Sequence, residues 1–252
     1  MYYKLYGRDL AMSILNEIKE QIILRKLALN RVPMLKIICK DKTNPFYKGL
    51  VKDAEYCGID ICDGWFDHAD GTISLEKDYP LFSLLHPENN ADLYDGYPCV
   101  VQATRRLLQW HGLPITGKKV CVIGRTEQVG LPMAELFTKL GATVMICHTQ
   151  SDVKDVQHFI YISDIVISAA SPGVDLLETY DFIKEDQTIV DLGGNFSDER
   201  CLFVENLVPF VGGVGPITRA MVMLNVFGKA YKEMRISDLT MIKAFRKTYE
   251  ER

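Results

Sequence analysis

Lys119-Val120-Cys121-Val122-Ile123-Gly124-Arg125-Thr126-Glu127-Gln128-Val129-Gly130-Leu131-Pro132-Met133-Ala134 is the stretch that decides the fold. The apolar run over 119–123 predicts a strand, and the pattern over 131–140, closed by Gly141, predicts a helix. A strand ending in Gly124, a loop, and a helix opening near Gly130 form a turn suited to phosphate. Helix N-termini present N–H groups and the positive end of the helix dipole. The glycine spacing is Gly-x5-Gly, not the Gly-x-Gly-x-x-Gly of the usual dinucleotide fingerprint. Geometry alone therefore leaves two readings open, a nucleotide site and an ordinary strand–helix turn.

Working outward, strands are predicted over 143–147, 165–168, 188–192 and 207–211, with a helix over 153–161. Strands alternating with helices predict a parallel sheet covered by helices, an α/β class. Gly212-Gly213-Val214-Gly215-Pro216-Ile217-Thr218 follows the last strand. Its glycines permit tight turns or close ligand approach, and Pro216 suits the first turn of a helix running towards Arg252. Upstream, Asp9 is a candidate cap for a helix carrying Leu10, Ile14, Ile18 and Ile22 on one face. Residues 34–39 and 59–62 read as strands, and Asn44-Pro45 opens a helix over 45–57. From 63 to 98 the pattern weakens among loop signals, and a helix follows over 100–110, ending at His111-Gly112.

With 252 residues, 48% of them hydrophobic, and a net charge of -4, the chain is an ordinary globular one. No basic stripe points to nucleic acid, and no run reaches the ~18 apolar residues of a membrane span. The start, Met1-Tyr2-Tyr3-Lys4-Leu5, lacks the apolar core of a secretion signal. The seven cysteines contain no Cys-x-x-Cys pair. They are expected to be reduced and mostly buried, with no metal site and a cytoplasmic location.

Gly124-Arg125-Thr126-Glu127-Gln128-Val129-Gly130-Leu131-Pro132 and Gly212-Gly213-Val214-Gly215-Pro216-Ile217-Thr218 together resemble the signatures of the bifunctional methylenetetrahydrofolate dehydrogenase/cyclohydrolase family. Those signatures read Gly-Arg-Ser-x-x-Val-Gly-x-Pro and Gly-Gly-Val-Gly-Pro-Met-Thr. Ser168-Ala169-Ala170-Ser171-Pro172-Gly173 and Val190-Asp191-Leu192-Gly193-Gly194-Asn195 resemble two further loops of the family. The likeness covers most of the chain, tightly over 117–228 and loosely over 39–100. It implies a Rossmann-like parallel-sheet NAD(P)-binding domain over 112–215. A smaller α/β folate domain over 1–111 would be completed by the C-terminal helix from 216 to 252. Cofactor contacts are implied for Gly124, Arg125, Thr126, Val129, Gly130, Pro132, His148, Thr149, Ser171, Pro172, Gly213, Gly215 and Thr218. Folate substrate and a homodimer through the nucleotide domain are implied as partners.

The second strand ends at Cys147-His148-Thr149-Gln150-Ser151, without the acid that usually accepts from an NAD ribose. The family has His-Ser, a basic residue, then Thr at this point, and Gln150 replaces the base. NADP is the expected cofactor, with NAD as the alternative. Asp95-Gly96 resembles the family's Asp-Val-Asp-Gly, whose carboxylate can accept two hydrogen bonds from a pterin, although an Asp-Gly pair also reads as a plain turn. The family's Tyr-x-x-x-Lys falls on the helix over 45–57. Tyr47 is the natural tyrosine match and reaches Val51; an ungapped alignment from Gly58 uses Phe46 and reaches Leu50. Either way the lysine is gone, and Lys48 and Lys52 lie roughly 100–140° round the helix from Tyr47.

Hydride transfer from the methylene carbon is driven by a folate nitrogen lone pair and needs chiefly positioning. Hydrolysis of the methenyl product needs an activated water, which that lysine assists. The resemblance therefore implies a dehydrogenase with weak or absent cyclohydrolase, in which Tyr47 and Asp95 orient folate. Two readings compete with it. The family's Val-Gln-Leu-Pro-Leu-Pro segment has no counterpart between Ile59 and Leu85, and this shortened 59–100 region favours a catalytically degenerate nucleotide- or folate-binding protein with a regulatory or subunit role, or a dehydrogenase of another small substrate.

Overall fold

The alternation over 119–208 closes into one parallel sheet in the computed structural model, which describes residues 3–29, 33–38, 42–62, 73–76, 92–171, 176, 184–196, 201 and 204–230. These residues divide into two compact units. The first holds residues 1–11 and 95–218, the second residues 12–94 and 219–252.

The sheet of the first unit is built from β1 (Tyr3–Lys4), β7 (Lys119–Ile123), β8 (Thr143–Cys147), β9 (Ile165–Ser168), β10 (Thr188–Asp191) and β11 (Asn206–Val208). Its order is β1-β11-β10-β9-β7-β8, with every pairing parallel. Every residue of β9 and β10 is buried, as continuous apolar strands covered on both faces must be. α4 (Gly130–Lys139) and α5 (Val153–Ile162) pack on the sheet, and α3 (Cys99–Trp110) packs against α4. Phe137 of α4 and Ile160 of α5 are fully buried, each contributing roughly 1.5–3 kcal/mol. Cys121, Cys147 and Cys201 lie in the same core as free thiols.

The second unit carries a three-stranded parallel sheet in the order β3-β2-β4, from β2 (Met34–Ile38), β3 (Asp60–Cys62) and β4 (Ile73–Glu76). Most of α1 (Arg8–Leu29) belongs to it, as do α2 (Pro45–Cys57) and the later turns of α6 (Val214–Ala230). Leu10, Ile14, Ile18 and Ile22 are all buried, so the four-residue spacing did mark the core face of α1. Asn44 caps α2 by accepting from the Phe46 N–H at 2.8 Å, and Gly58 (φ 79) ends it in the left-handed region.

Three local expectations shift. Asp9 sits within the first turn of α1 rather than capping it. The chain enters the helix at Gly7, whose carbonyl accepts from the Ala11 N–H at 2.9 Å. A Cβ at Gly7 would run into the Gly213 carbonyl, so this close approach outranks the cap preference of Asp9. The last strand stops at Val208 because Pro209 has no N–H to continue the ladder. Finally, β1 and β4 carried no sequence signal, and of the hairpin of β5 (Leu93–Tyr94) with β6 (Tyr97–Pro98) only the Asp95-Gly96 turn did.

His111 follows α3, and its Nε2 donates to the Tyr6 carbonyl at 3.3 Å. Burial holds its pKa below the usual histidine value, opposed by the Tyr6 bond and Asp9. The unfolded chain takes up this proton at about pH 6.5, the fold only lower. Its contribution is therefore complete above about pH 6.5 and is lost as pH falls from there towards the folded value. Thermal melts at pH 7.5 and 5.5 should show a smaller acid loss in His111→Gln; an equal loss would assign the effect to other groups.

Candidate functional site

The loops leaving β7, β8, β9 and β10 all emerge at the carboxyl ends of parallel strands. The chain leaves β7 towards β8 on one side, and β9 takes the other, which makes the β7–β9 gap a topological switch point. Gly124 lies at its rim. Its N–H donates to the Cys147 carbonyl at 2.8 Å, and Ala169 N–H donates to the Ile123 carbonyl at 2.8 Å. The backbone at Gly124 is in the left-handed region (φ 120), and a Cβ there would lie 2.7 Å from the Ala169 carbonyl carbon. Gly130 closes the loop: a Cβ would meet the Gly124 carbonyl carbon at 2.6 Å.

Within the 124–130 loop, exposed Thr126 is the hub. Its hydroxyl and carbonyl oxygens each accept from the Val129 N–H at 3.3 Å, and the carbonyl also accepts from Leu131 N–H at 3.1 Å. Half-buried Val129 precedes α4, and Pro132 sits in the first turn of the helix, where no N–H is required of it. At the tip of β8, His148 N–H donates to Ser151 Oγ at 3.1 Å, and Gln150 N–H to His148 Nδ1 at 3.2 Å. Thr149 and Gln150 are exposed, and Arg125 Nη2 donates to Gln150 Oε1 at 2.8 Å. Asp152 is committed elsewhere, capping α5 through the Lys154 N–H at 2.8 Å.

The β10 end is held by a residue that the motif matching did not single out. Asp191 is buried, and its Oδ1 accepts from the N–H groups of Gly193, Gly194 and Asn195 at 3.1, 2.8 and 3.0 Å. Its Oδ2 accepts from Phe196 N–H at 3.1 Å. Burial pushes this carboxyl above its ordinary value, and the four backbone donors act against that push. Asn195 then bonds the Ser168 hydroxyl and donates to the carbonyl of exposed Ser171 at 3.0 Å, tying the β9 and β10 loops together. Pro172 lies outside the described residues.

The glycines of 212–218 divide by role. A Cβ at Gly213 would collide with Pro209 and Val208, so that position serves backbone packing. A Cβ at Gly215 would meet nothing within 4 Å, which leaves space for a ligand. Buried Thr218 donates its hydroxyl to the Val214 carbonyl at 3.1 Å within α6.

On α2, Leu50 is buried, while Tyr47 and Val51 are half-buried and Lys48 and Lys52 exposed. The same helix carries an ion pair that sequence reasoning missed. Arg219 Nε meets Asp53 Oδ2 at 2.7 Å, and the guanidinium lies over Gly49, where a Cβ would be 2.6 Å from Nε. Burial raises the Asp53 pKa, with Arg219 opposing it through the hydrogen bond and its charge. Asp95 (φ 56) and Gly96 (φ 80) form a two-residue hairpin turn between β5 and β6, both left-handed as a type I′ turn requires. The turn leaves Asp95 exposed. Among the described residues, no group of three or more His, Cys, Asp or Glu could hold a metal ion, and no helix is long and apolar enough to cross a membrane.

Residues 98–234, more than half of the chain, match the model of the tetrahydrofolate dehydrogenase/cyclohydrolase NAD(P)-binding domain. The chain belongs to the tetrahydrofolate dehydrogenase/cyclohydrolase family. Among relatives in this family, the bifunctional protein FolD of Moorella thermoacetica is 35% identical over 196 residues, 70% of this chain and 68% of that protein. FolD of Methanosarcina barkeri is 34% identical over 172 residues. That match takes in 63% of this chain but 58% of the relative, so the chain spans under three fifths of its length. The fold is also that of the Trypanosoma brucei N5,N10-methylenetetrahydrofolate dehydrogenase-cyclohydrolase, solved with NADP and an inhibitor. Its TM-score is 0.79 at 23% identity, over 93% of this chain and 99% of that one. The parallel sheet and the loops at its carboxyl edge are thus those of the family's Rossmann-like NAD(P)-binding domain.

Proposed function

We propose that the protein oxidises 5,10-methylenetetrahydrofolate to the 5,10-methenyl form with NADP as hydride acceptor, and that its cyclohydrolase activity is weak or absent. The carrying observation is on α2. At the two positions where the family's catalytic lysine would align stand Leu50, buried, and Val51, half-buried, while Lys48 and Lys52 are exposed. A bound nicotinamide supplies an electrophilic ring carbon that accepts hydride. The chain's own task is to position: the 124–130 loop and Gly215 for the dinucleotide, Tyr47 and Asp95 for folate. Asp95 stands exposed on its hairpin turn, which suits a carboxylate meant to accept from a pterin's amino and ring N–H groups.

No group on the described face of α2 replaces the amine that assists water, so the methenyl product is expected to leave unhydrolysed. A homodimer through the nucleotide domain accompanies this reading. β8 is an edge strand, with Ile146 exposed and Val144 and Met145 half-buried. Such an edge is a template for pairing with a second copy.

The deciding experiment follows reduced cofactor and methenyl product separately by absorbance, with NADP and with NAD. Reduced cofactor with accumulating methenyltetrahydrofolate is expected. Equal, substantial dehydrogenase and cyclohydrolase activities in one preparation would sink the claim of lost hydrolysis. Nucleotide binding without turnover would shift the reading to a binding or regulatory role. Equilibrium sedimentation tests the dimer.

A further inference from the structure

We propose that Gln150 is a positioning residue that selects NADP, by fixing the Arg125 guanidinium where the 2′-phosphate of the cofactor must lie. The inference rests on reading the β8 tip as the place where the adenine ribose is recognised. In a doubly wound fold the second strand of the nucleotide domain ends beside that ribose. β7 and β8 are the first and second strands here, and β8 ends at Cys147.

Three observations converge on this tip. The first is charge. The tip itself, Cys147 to Ser151, contains no carboxylate, and Asp152, which follows, has its Oδ1 engaged by the Lys154 N–H at 2.8 Å. A site for a ribose 2′-hydroxyl calls for such an acceptor, and a site for a phosphate is harmed by one. The second is the bond from Arg125 Nη2 to Gln150 Oε1 at 2.8 Å. A guanidinium has five N–H donors and no acceptor, so the atom facing it must be the carboxamide oxygen. The amide NH2 of Gln150 is thereby turned away from Arg125 as a donor. The third is rigidity. The Gln150 N–H is bonded to His148 Nδ1 at 3.2 Å, and His148 N–H to Ser151 Oγ at 3.1 Å, so the clamp stands on a fixed turn.

A neutral carboxamide holds one N–H of Arg125 without cancelling its charge. The remaining donors of Arg125 stay available to a doubly charged oxyanion. A glutamate in the same place would hold Arg125 as firmly but would neutralise it and repel phosphate. Gln150 therefore does what an acid cannot: it preorganises a cation and leaves it cationic. Both side chains are exposed, so the effect belongs to recognition and not to folding.

The test is equilibrium binding of NADP, NAD and 2′,5′-ADP by isothermal titration calorimetry to the unaltered protein, Gln150→Ala and Gln150→Glu. Gln150→Ala is expected to weaken NADP and 2′,5′-ADP by about 3- to 10-fold, and Gln150→Glu by about 10- to 100-fold. NAD is expected to stay within about threefold in both, and the melting temperatures to be unchanged. An NADP-to-NAD affinity ratio that stays put in both variants, or rises in Gln150→Ala, would overturn the clamp while leaving the NADP assignment standing. If the unaltered protein prefers NAD or binds neither dinucleotide, the assignment of NADP fails with it.

Discussion

Gly124→Ala is expected to abolish dinucleotide binding, with affinity falling by more than about 100-fold, and to destabilise the first unit by about 3 kcal/mol. Two independent effects act in the same direction. A φ of 120° lies where an L side chain is strained, and the new Cβ would press on the Ala169 carbonyl, whose carbon would be 2.7 Å away. Neither can relax cheaply, because Gly124 N–H is pinned to Cys147 and Ala169 N–H to Ile123. The strands on either side of the switch point would have to part. Gly215→Ala is the contrasting control. It sits in the first turn of α6 with open space around it, so the melting temperature should hold while binding weakens if a ligand occupies that space. Calorimetric binding and thermal melts on both variants decide the matter. A Gly124→Ala protein that binds NADP normally would show that the loop is not the cofactor seat.

Asp53→Ala is expected to lower stability by about 3 kcal/mol, a fall in melting temperature of roughly 6–12 °C. The side chains of Arg219 and Asp53 are only 22% and 16% exposed, so removing the carboxylate strands a guanidinium that water cannot fully solvate. The pair need not be a net source of stability. Replacing both members with apolar residues, Asp53→Leu with Arg219→Met, should recover most of the loss, because it removes the cost of burying charge along with its compensation. Gly49→Ala should act like the single variant, since a methyl there would displace the guanidinium. If the double variant is no better than Asp53→Ala alone, the helix packing itself depends on the charges and this account is wrong.

How legible all this was in the sequence depended on the range of the interaction. β7, β8 and β9 were readable to the residue, because apolar runs bounded by glycine or polar turns record burial locally. α2 was equally plain, with Asn44-Pro45 at one end and Gly58 at the other. The loops of the nucleotide domain could be matched to family motifs because close backbone approach leaves glycine as its trace. Other features left no such trace. β1 is two residues long and is defined by its partner, not by its own pattern. Asp53 and Arg219 stand 166 positions apart, and nothing in either neighbourhood announces the other. Arg125 and Gln150 each lie in a loop that the motifs mark, but the bond between them appears only when the sheet brings the two loops together. Asp191 sat inside a recognised motif, but its role as the acceptor for four N–H groups appears only once the turn is drawn round it.

The pairing of β1 with β11 has a consequence in time. Tyr3 lies beside Asn206 in the ladder, and Leu5 N–H donates to the Leu207 carbonyl at 2.8 Å. A ribosome adds about 5–20 residues per second, so the outermost strand of the sheet waits roughly 10–40 s for the strand it will join. Throughout that interval β1 stays unmated, because the residues of β11 that it will pair with are not yet made. The sheet is thus finished by joining Tyr3 to Asn206, after the strands at its middle have been synthesised.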